Sequence, residues 1–333
     1  MSDHSTSLSA RAAYVCTEVS PQCPVQATTL GYYPNLALNS FILAAFVLAM
    51  IIQLVLGIWK KTWSFTTFIV LGCALEAAGY GGRIALSSNP YNQQAFETQI
   101  CAIILAPTLI CIGIYLTLKH LCLALSPSIS RVRPKWYPFI FVPADVSCLL
   151  VQAIGGGIAA SATAGDSTNM DVLDAGNHCI IAGIVLQVVV LLAFGGMSLD
   201  YWLRAKRWVH SGDVTPEALA LWSDRKFRVF GLAMLGAYVC VQIRCIYRVA
   251  EMAGGWGNYI MQDQPSFTVL DSFMMLICVY LLSCFPPGVY FPNMNHRSKK
   301  ARENDDEETR ANVGEETQDD AEHSGFRSEK SEK

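Results

Sequence analysis

The chain has 333 residues, 52% hydrophobic and 15% charged, with a mean hydropathy of +0.33 and a formal net charge of −3. Soluble domains carry about 25% charged residues, and here 8 of the 24 Lys and Arg and 12 of the 27 Asp and Glu are crowded into residues 292–333. This balance excludes a water-soluble enzyme, a nucleic-acid binder and a disordered chain, and points to a polytopic membrane protein with a polar tail.

Residues 1–35 lack an apolar core of signal-peptide length and are expected to form an N-terminal tail ahead of the first span. Seven apolar runs follow, near 36–59, 63–85, 97–120, 136–160, 178–201, 227–250 and 266–291. Each is long enough to cross a hydrocarbon core of about 30 Å as a helix. They are too long and too evenly apolar for barrel strands, so the predicted fold is an all-α, seven-transmembrane helix bundle over 36–291. Pro107 and Pro143 are expected to kink spans 3 and 4. Residues 292–333 are acidic and polar without apolar periodicity, and are read as a disordered cytosolic tail.

Loop charges set the expected orientation. Lys60 and Lys61 follow span 1, and Arg131, Arg133 and Lys135 follow span 3. Arg204, Lys206, Arg207, Arg225 and Lys226 lie between spans 5 and 6, and Arg297, Lys299, Lys300 and Arg302 follow span 7. The connections 86–96, 161–177 and 251–265 contain no Lys or Arg. The N-terminus is therefore expected outside and the C-terminus in the cytosol. Trp59, Trp63, Trp136, Trp202 and Trp256 fall at predicted span ends, where indole rings favour the interface. Nine of the twelve cysteines lie within spans and behave there as small apolar residues. A Cys16–Cys23 bridge suits an oxidising compartment, although connectivity is not readable from spacing.

Ionisable groups inside a span are costly and face a cavity or a partner. Span 2 carries Glu76, Tyr80 and Arg83 on one helical face, and span 4 carries Asp145 and Gln152, seven apart. Gln187 is near the middle of span 5. Arg244, Arg248 and Glu251 repeat the one-face spacing at the outer end of span 6, and Asp271 lies about one and a half turns into span 7. These ten residues are the candidate substrate-binding set, lining a polar chamber reached from the outer leaflet. The competing reading is structural: buried pairs that fix helix register, and glycines at 155–157 that only permit close packing.

No phosphate-binding Gly-rich loop with Lys is present, span 7 lacks a Lys for a retinal Schiff base, and no Cys/His spacing suits a metal. Spans 3 and 7 lack the marks of a class-A G-protein-coupled receptor. His120 is read as structural at a helix end.

In this order the stripes resemble the fungal lipid-translocating exporter family, named for resistance to toxic aminocholesterol. The resemblance runs from Tyr32-x-Pro34-x4-Asn39 through Glu76-x2-Gly79-Tyr80-x2-Arg83, Ala106-Pro107 with Tyr115, and Asp145-Val146-Ser147 with Gln152. It continues with Gly183-x3-Gln187, Arg244-x3-Arg248-x2-Glu251 and Asp271. Departures are Gln53 where many members carry His, Gln264 and Thr268 in place of Glu and Tyr, and Pro286-Pro287-Gly288 at the close. The resemblance implies a multi-pass fungal protein, often of the plasma membrane, that exports sphingoid long-chain bases or similar toxic amphiphiles and confers resistance; one branch is linked to porphyrin handling. The implied partners are membrane lipids and amphiphilic amine or porphyrin-like ligands, with no cofactor, no metal and no nucleic acid. On this reading the ligand amine pairs with Glu76, Asp145 or Asp271. Two rivals share the topology. One is a lipid sensor or receptor signalling through loop 201–226 and the tail. The other is a membrane enzyme, disfavoured because the carboxylates lack a nucleophile or metal-binding partner. A proton carried on Glu76 or Asp145, a ligand gradient and simple equilibration are all compatible with the sequence as energy source.

Overall fold

The computed structural model describes residues 18–125, 130–131, 133–134, 136–163, 169–210, 216–255 and 257–285. Seven helical segments among them are long and apolar enough to cross a membrane. They are α1 (Leu36–Lys60), α2 (Trp63–Ser88), α3 (Gln93–Leu125), α4 (Trp136–Thr163), α5 (Met170–His210), α7 (Arg225–Ala253) and a composite seventh span. The composite runs through α9 (Gln264–Phe267), a π-helical turn (Thr268–Phe273) and α10 (Met274–Cys284). Two short helices complete the set, α6 (Pro216–Ser223) and α8 (Tyr259–Gln262). No strand is present among the described residues. The chain is a multi-pass integral membrane protein, all-α, with seven spans.

Local chemistry explains the ends. Asn35 caps α1 by accepting from the Leu38 amide at 3.1 Å, and Asp224 caps α7 by accepting from the Lys226 amide at 3.0 Å. The α1 helix closes on Lys61 in the left-handed region (φ 56°). The basic loop 201–226 is largely structured: α5 runs on to His210, and α6 packs back on the bundle. There Trp222 lies 4.9 Å from Trp202, and Trp202 stacks on Phe227 at 6.1 Å. Trp202 is therefore a half-buried packing residue, unlike the exposed Trp59, Trp63 and Trp136 at span ends. Trp256 is outside the described residues.

Helices α2 and α3 pack along their lengths, as do α4 and α5, while α1 lies on α2 and α10 on α7. Lipid supplies no hydrophobic drive between helices, so close backbone approach must supply contact. Gly155, Gly176 and Gly183 provide it between α4 and α5. A Cβ on Gly155 would lie 2.7 Å from the Ile180 nitrogen, and one on Gly176 would lie 2.6 Å from the Ala159 nitrogen. Gly156 and Gly157 have open space where a Cβ would go, so only one glycine of that run serves the packing.

The N-terminal segment is not free where it is described. Residues 18–35 lie across the ends of α2 and α3: Leu30 packs with Leu86 and Ala95, and the Tyr91 hydroxyl donates to the Pro24 carbonyl at 2.9 Å. Cys23 is disulfide-bonded; Cys16, its expected partner, lies outside the described residues, and the ten cysteines from Cys73 to Cys284 are free thiols. The acidic tail and the Pro286-Pro287-Gly288 close also lie outside the described residues.

Candidate functional site

The predicted polar residues gather in two groups. The first joins α2, α7 and the seventh span. Asp271 is fully buried on the π turn, and its Oδ1 receives the Arg244 Nε at 2.7 Å and the Arg248 Nε and Nη2 at 3.0 Å each. Arg248 also donates from Nη1 to Glu251 Oε2 at 2.6 Å. The Arg244 Nη1 lies 3.6 Å from Glu76 Oε1, an ion pair without a hydrogen bond. Arg83 donates to the Tyr32 hydroxyl at 2.7 Å, and its guanidinium lies 4.0 Å from the centre of the Phe267 ring. Arg248 approaches that ring at 5.4 Å. Glu76, Tyr80, Arg83, Arg244, Glu251 and Asp271 are all 3% exposed or less. Three carboxylates face three guanidiniums, so the group is formally neutral.

Two backbone irregularities build this cluster. A π turn places an extra residue in the helical ladder, a device found at functional sites, and it sets Asp271 between the two arginines. Proline 107 has no amide hydrogen, so the carbonyl four residues back, on Ile103, has no helical donor. Arg244 Nη2 fills that vacancy at 2.6 Å. The proline read from the sequence as a kink thus also furnishes an acceptor for a buried cation.

The second group joins α3, α4 and α5 and contains one charged residue. Asp145, 2% exposed, accepts from the Tyr115 hydroxyl at 2.7 Å on Oδ2, and its Oδ1 has no partner. Gln152 donates to Gln187 at 3.2 Å, and Gln187 donates to Thr108 at 3.3 Å. Tyr115 is wedged between Phe141 and Phe194, with ring centres at 5.6 and 4.5 Å.

All ten candidates are inside the bundle. Seven of them (Glu76, Tyr80, Arg83, Arg244, Arg248, Glu251 and Asp271) form the charged cluster. Asp145, Gln152 and Gln187 form the other group, so Gln152 does not share a bonded network with the arginines. The structure adds Tyr32, Phe267, the Ile103 carbonyl and Thr108, which were not among the candidates. Of these, Tyr32 stands in the motif that opens the family resemblance and the Ile103 carbonyl was signalled by Pro107, whereas Phe267 and Thr108 had no sequence signal. Several atoms in the first group have no hydrogen-bond partner: both Glu76 oxygens, the Tyr80 hydroxyl, Asp271 Oδ2 and Ser272 Oγ. Buried acceptors without donors cost about 1–3 kcal/mol each.

Fold and site together define a seven-span membrane protein with a polar centre inside the helix bundle. The chain belongs to the family described as RTA1 like protein, which matches residues 69–294. It is 31% identical over 288 residues to the sphingoid long-chain base transporter RSB1 of Saccharomyces cerevisiae, covering 78% of this chain and 74% of that one. It is 27% identical over 241 residues to protoporphyrin uptake protein 1 of the same species, covering 72% and 73%. Protein RTM1 of Saccharomyces cerevisiae is 27% identical over 234 residues, covering 69% and 70%. No solved structure matches significantly.

Proposed function

We propose that this chain is a non-enzymatic translocator of amphiphiles, moving sphingoid long-chain bases or similar cationic single-chain lipids across the plasma membrane. The observation that carries this reading is Glu76. It is a fully buried carboxylate within a span, with both oxygens free of hydrogen bonds and its nearest cation held by a second carboxylate. Such a group has acceptor capacity that an ammonium headgroup would satisfy, while the acyl chain stays in lipid between helices. The names of the relatives support a lipid or porphyrin ligand class, and transport rather than catalysis. The N-terminus faces outside and the tail faces the cytosol on this reading, following the basic loops.

The test is transport by purified protein in liposomes, with a fluorescent sphingoid base loaded on one leaflet and its appearance on the other followed. Wild-type protein is expected to move the base well above empty vesicles. Glu76→Gln is expected to abolish that movement while the protein remains monodisperse. Movement no faster than in empty vesicles, or an unaffected Glu76→Gln protein, overturns the reading.

A further inference from the structure

The charge balance of the interior leaves one carboxylate over. Glu76, Glu251 and Asp271 are matched by Arg83, Arg244 and Arg248, whereas Asp145 has no Lys, Arg or His within ion-pair distance among the described residues. Among the described residues its only hydrogen-bond donor is the Tyr115 hydroxyl, and Oδ1 is buried without a partner. An ionised carboxylate inside a membrane span is costly unless it is protonated or paired, so Asp145 has unfilled capacity for a cation.

Helix α3 gives a common ruler for the two groups. Arg244 reaches it at Ile103, Gln187 at Thr108 and Asp145 at Tyr115. On α2, Gly72 meets α3 at Ala106 and Ile110 and Gly79 meets it at Ile103, so Glu76 lies between those levels, roughly 8–18 Å from the Tyr115 level along the axis at the helical rise. The charged cluster lies toward the end covered by residues 18–35. Asp145 lies toward the end carrying the basic loops, nine residues into α4 from Trp136. Between them stands the Gln152–Gln187–Thr108 chain.

We propose that Asp145, held by Tyr115, is a second station for the cationic headgroup of the ligand, at a different depth from the Glu76 station. A single amine occupies the two in turn as it crosses, and the amide and hydroxyl chain between them offers partners to the headgroup's own hydroxyls. This rests on the translocator reading given above and adds the route.

The experiment measures binding and transport separately on full-length protein, using the same fluorescent sphingoid base. In detergent, Glu76→Gln and Asp145→Asn are each expected to bind it nearly as well as wild type, because one carboxylate remains. The double variant is expected to lose at least about tenfold in affinity, the scale of a lost charge pair. In liposomes Glu76→Gln is expected to abolish transport and Asp145→Asn to slow it by about tenfold or more. If wild type moves the base and Asp145→Asn moves it equally fast, the second station is overturned while the translocator reading stands. If Asp145→Asn alone abolishes binding, the two carboxylates form one site and the two-station route is overturned. If wild type moves nothing, the translocator reading falls and this inference with it. Should Asp145→Asn fail to assemble, Tyr115→Phe carries the test, since it keeps the ring between Phe141 and Phe194 and removes only the hydroxyl. It is expected to slow transport severalfold with binding retained, and transport at the wild-type rate overturns the station.

Discussion

The charged cluster of α2, α7 and the seventh span and the polar chain of α3, α4 and α5 solve one problem in opposite ways. The first gathers six ionisable side chains whose formal charges cancel, with Asp271 taking two guanidiniums and Pro107 releasing a carbonyl for a third contact. The second buries amides, hydroxyls and a single carboxylate with no opposing cation. Cancelled charge holds helices together but is rigid and costly to disturb, because removing one partner strands another. The uncharged chain is weaker per contact and can exchange partners cheaply. A path for a charged headgroup needs both properties.

The largest effect expected to break this contrast is Arg244→Met. It leaves Asp271 and Glu76 short of a cation and the Ile103 carbonyl without its donor, and a loss of about 3–5 kcal/mol is expected, read as a lowered melting midpoint in detergent. The matching change on the other side, Gln187→Leu, removes two neutral hydrogen bonds and should cost about 1–2 kcal/mol. Equal losses would dissolve the distinction.

The two helix prolines sharpen it. Replacing a mid-helix proline ordinarily restores a hydrogen bond and stabilises. Pro143→Ala should do so, since no side chain takes the Phe139 carbonyl among the described residues. Pro107→Ala instead returns an amide to Ile103 in competition with the Arg244 guanidinium. It is expected to lower stability by about 1–2 kcal/mol, the size of a charge-assisted hydrogen bond. The same sign for both substitutions would show that the proline does not serve Arg244.

Tyr32→Phe tests how the N-terminal segment is tied to the charged cluster. It removes the acceptor for Arg83 and should cost about 1 kcal/mol, seen as faster proteolysis within residues 18–35 rather than as loss of the bundle. The smallest contrast lies within the glycine run. Gly155→Ala should separate α4 from α5 and destabilise by about 1–3 kcal/mol. Gly156→Ala, with open space at its Cβ position, should be neutral or slightly stabilising. Melting midpoints of the pair give the comparison directly.

Much of the architecture was legible from residue order because spanning a membrane is a local requirement. An apolar run either covers the hydrocarbon thickness or does not, and all seven expected runs are helical where described, with ends shifted by a few residues at most spans. Span 5 was the exception. Met170–His210 extends well beyond 178–201 because polar residues such as Asp171, Arg204 and Lys206 continue a helix outside the hydrocarbon as readily as they break an apolar run. The ten polar candidates were legible for the same reason, since an ionisable residue in an apolar span stands out wherever it sits.

Sequence order by itself thus determined seven apolar spans, their helical state, and which polar residues face inward. Only the tertiary structure decided who partners whom. It set Asp145 apart from the arginines, put Arg244 on the carbonyl freed by Pro107, brought Tyr32 to Arg83, and used one glycine of three for packing. The physical reason is that hydropathy is additive along the chain, whereas a hydrogen bond between helices depends on their relative rotation and depth. In lipid those are set by the contacts themselves, not by a hydrophobic drive.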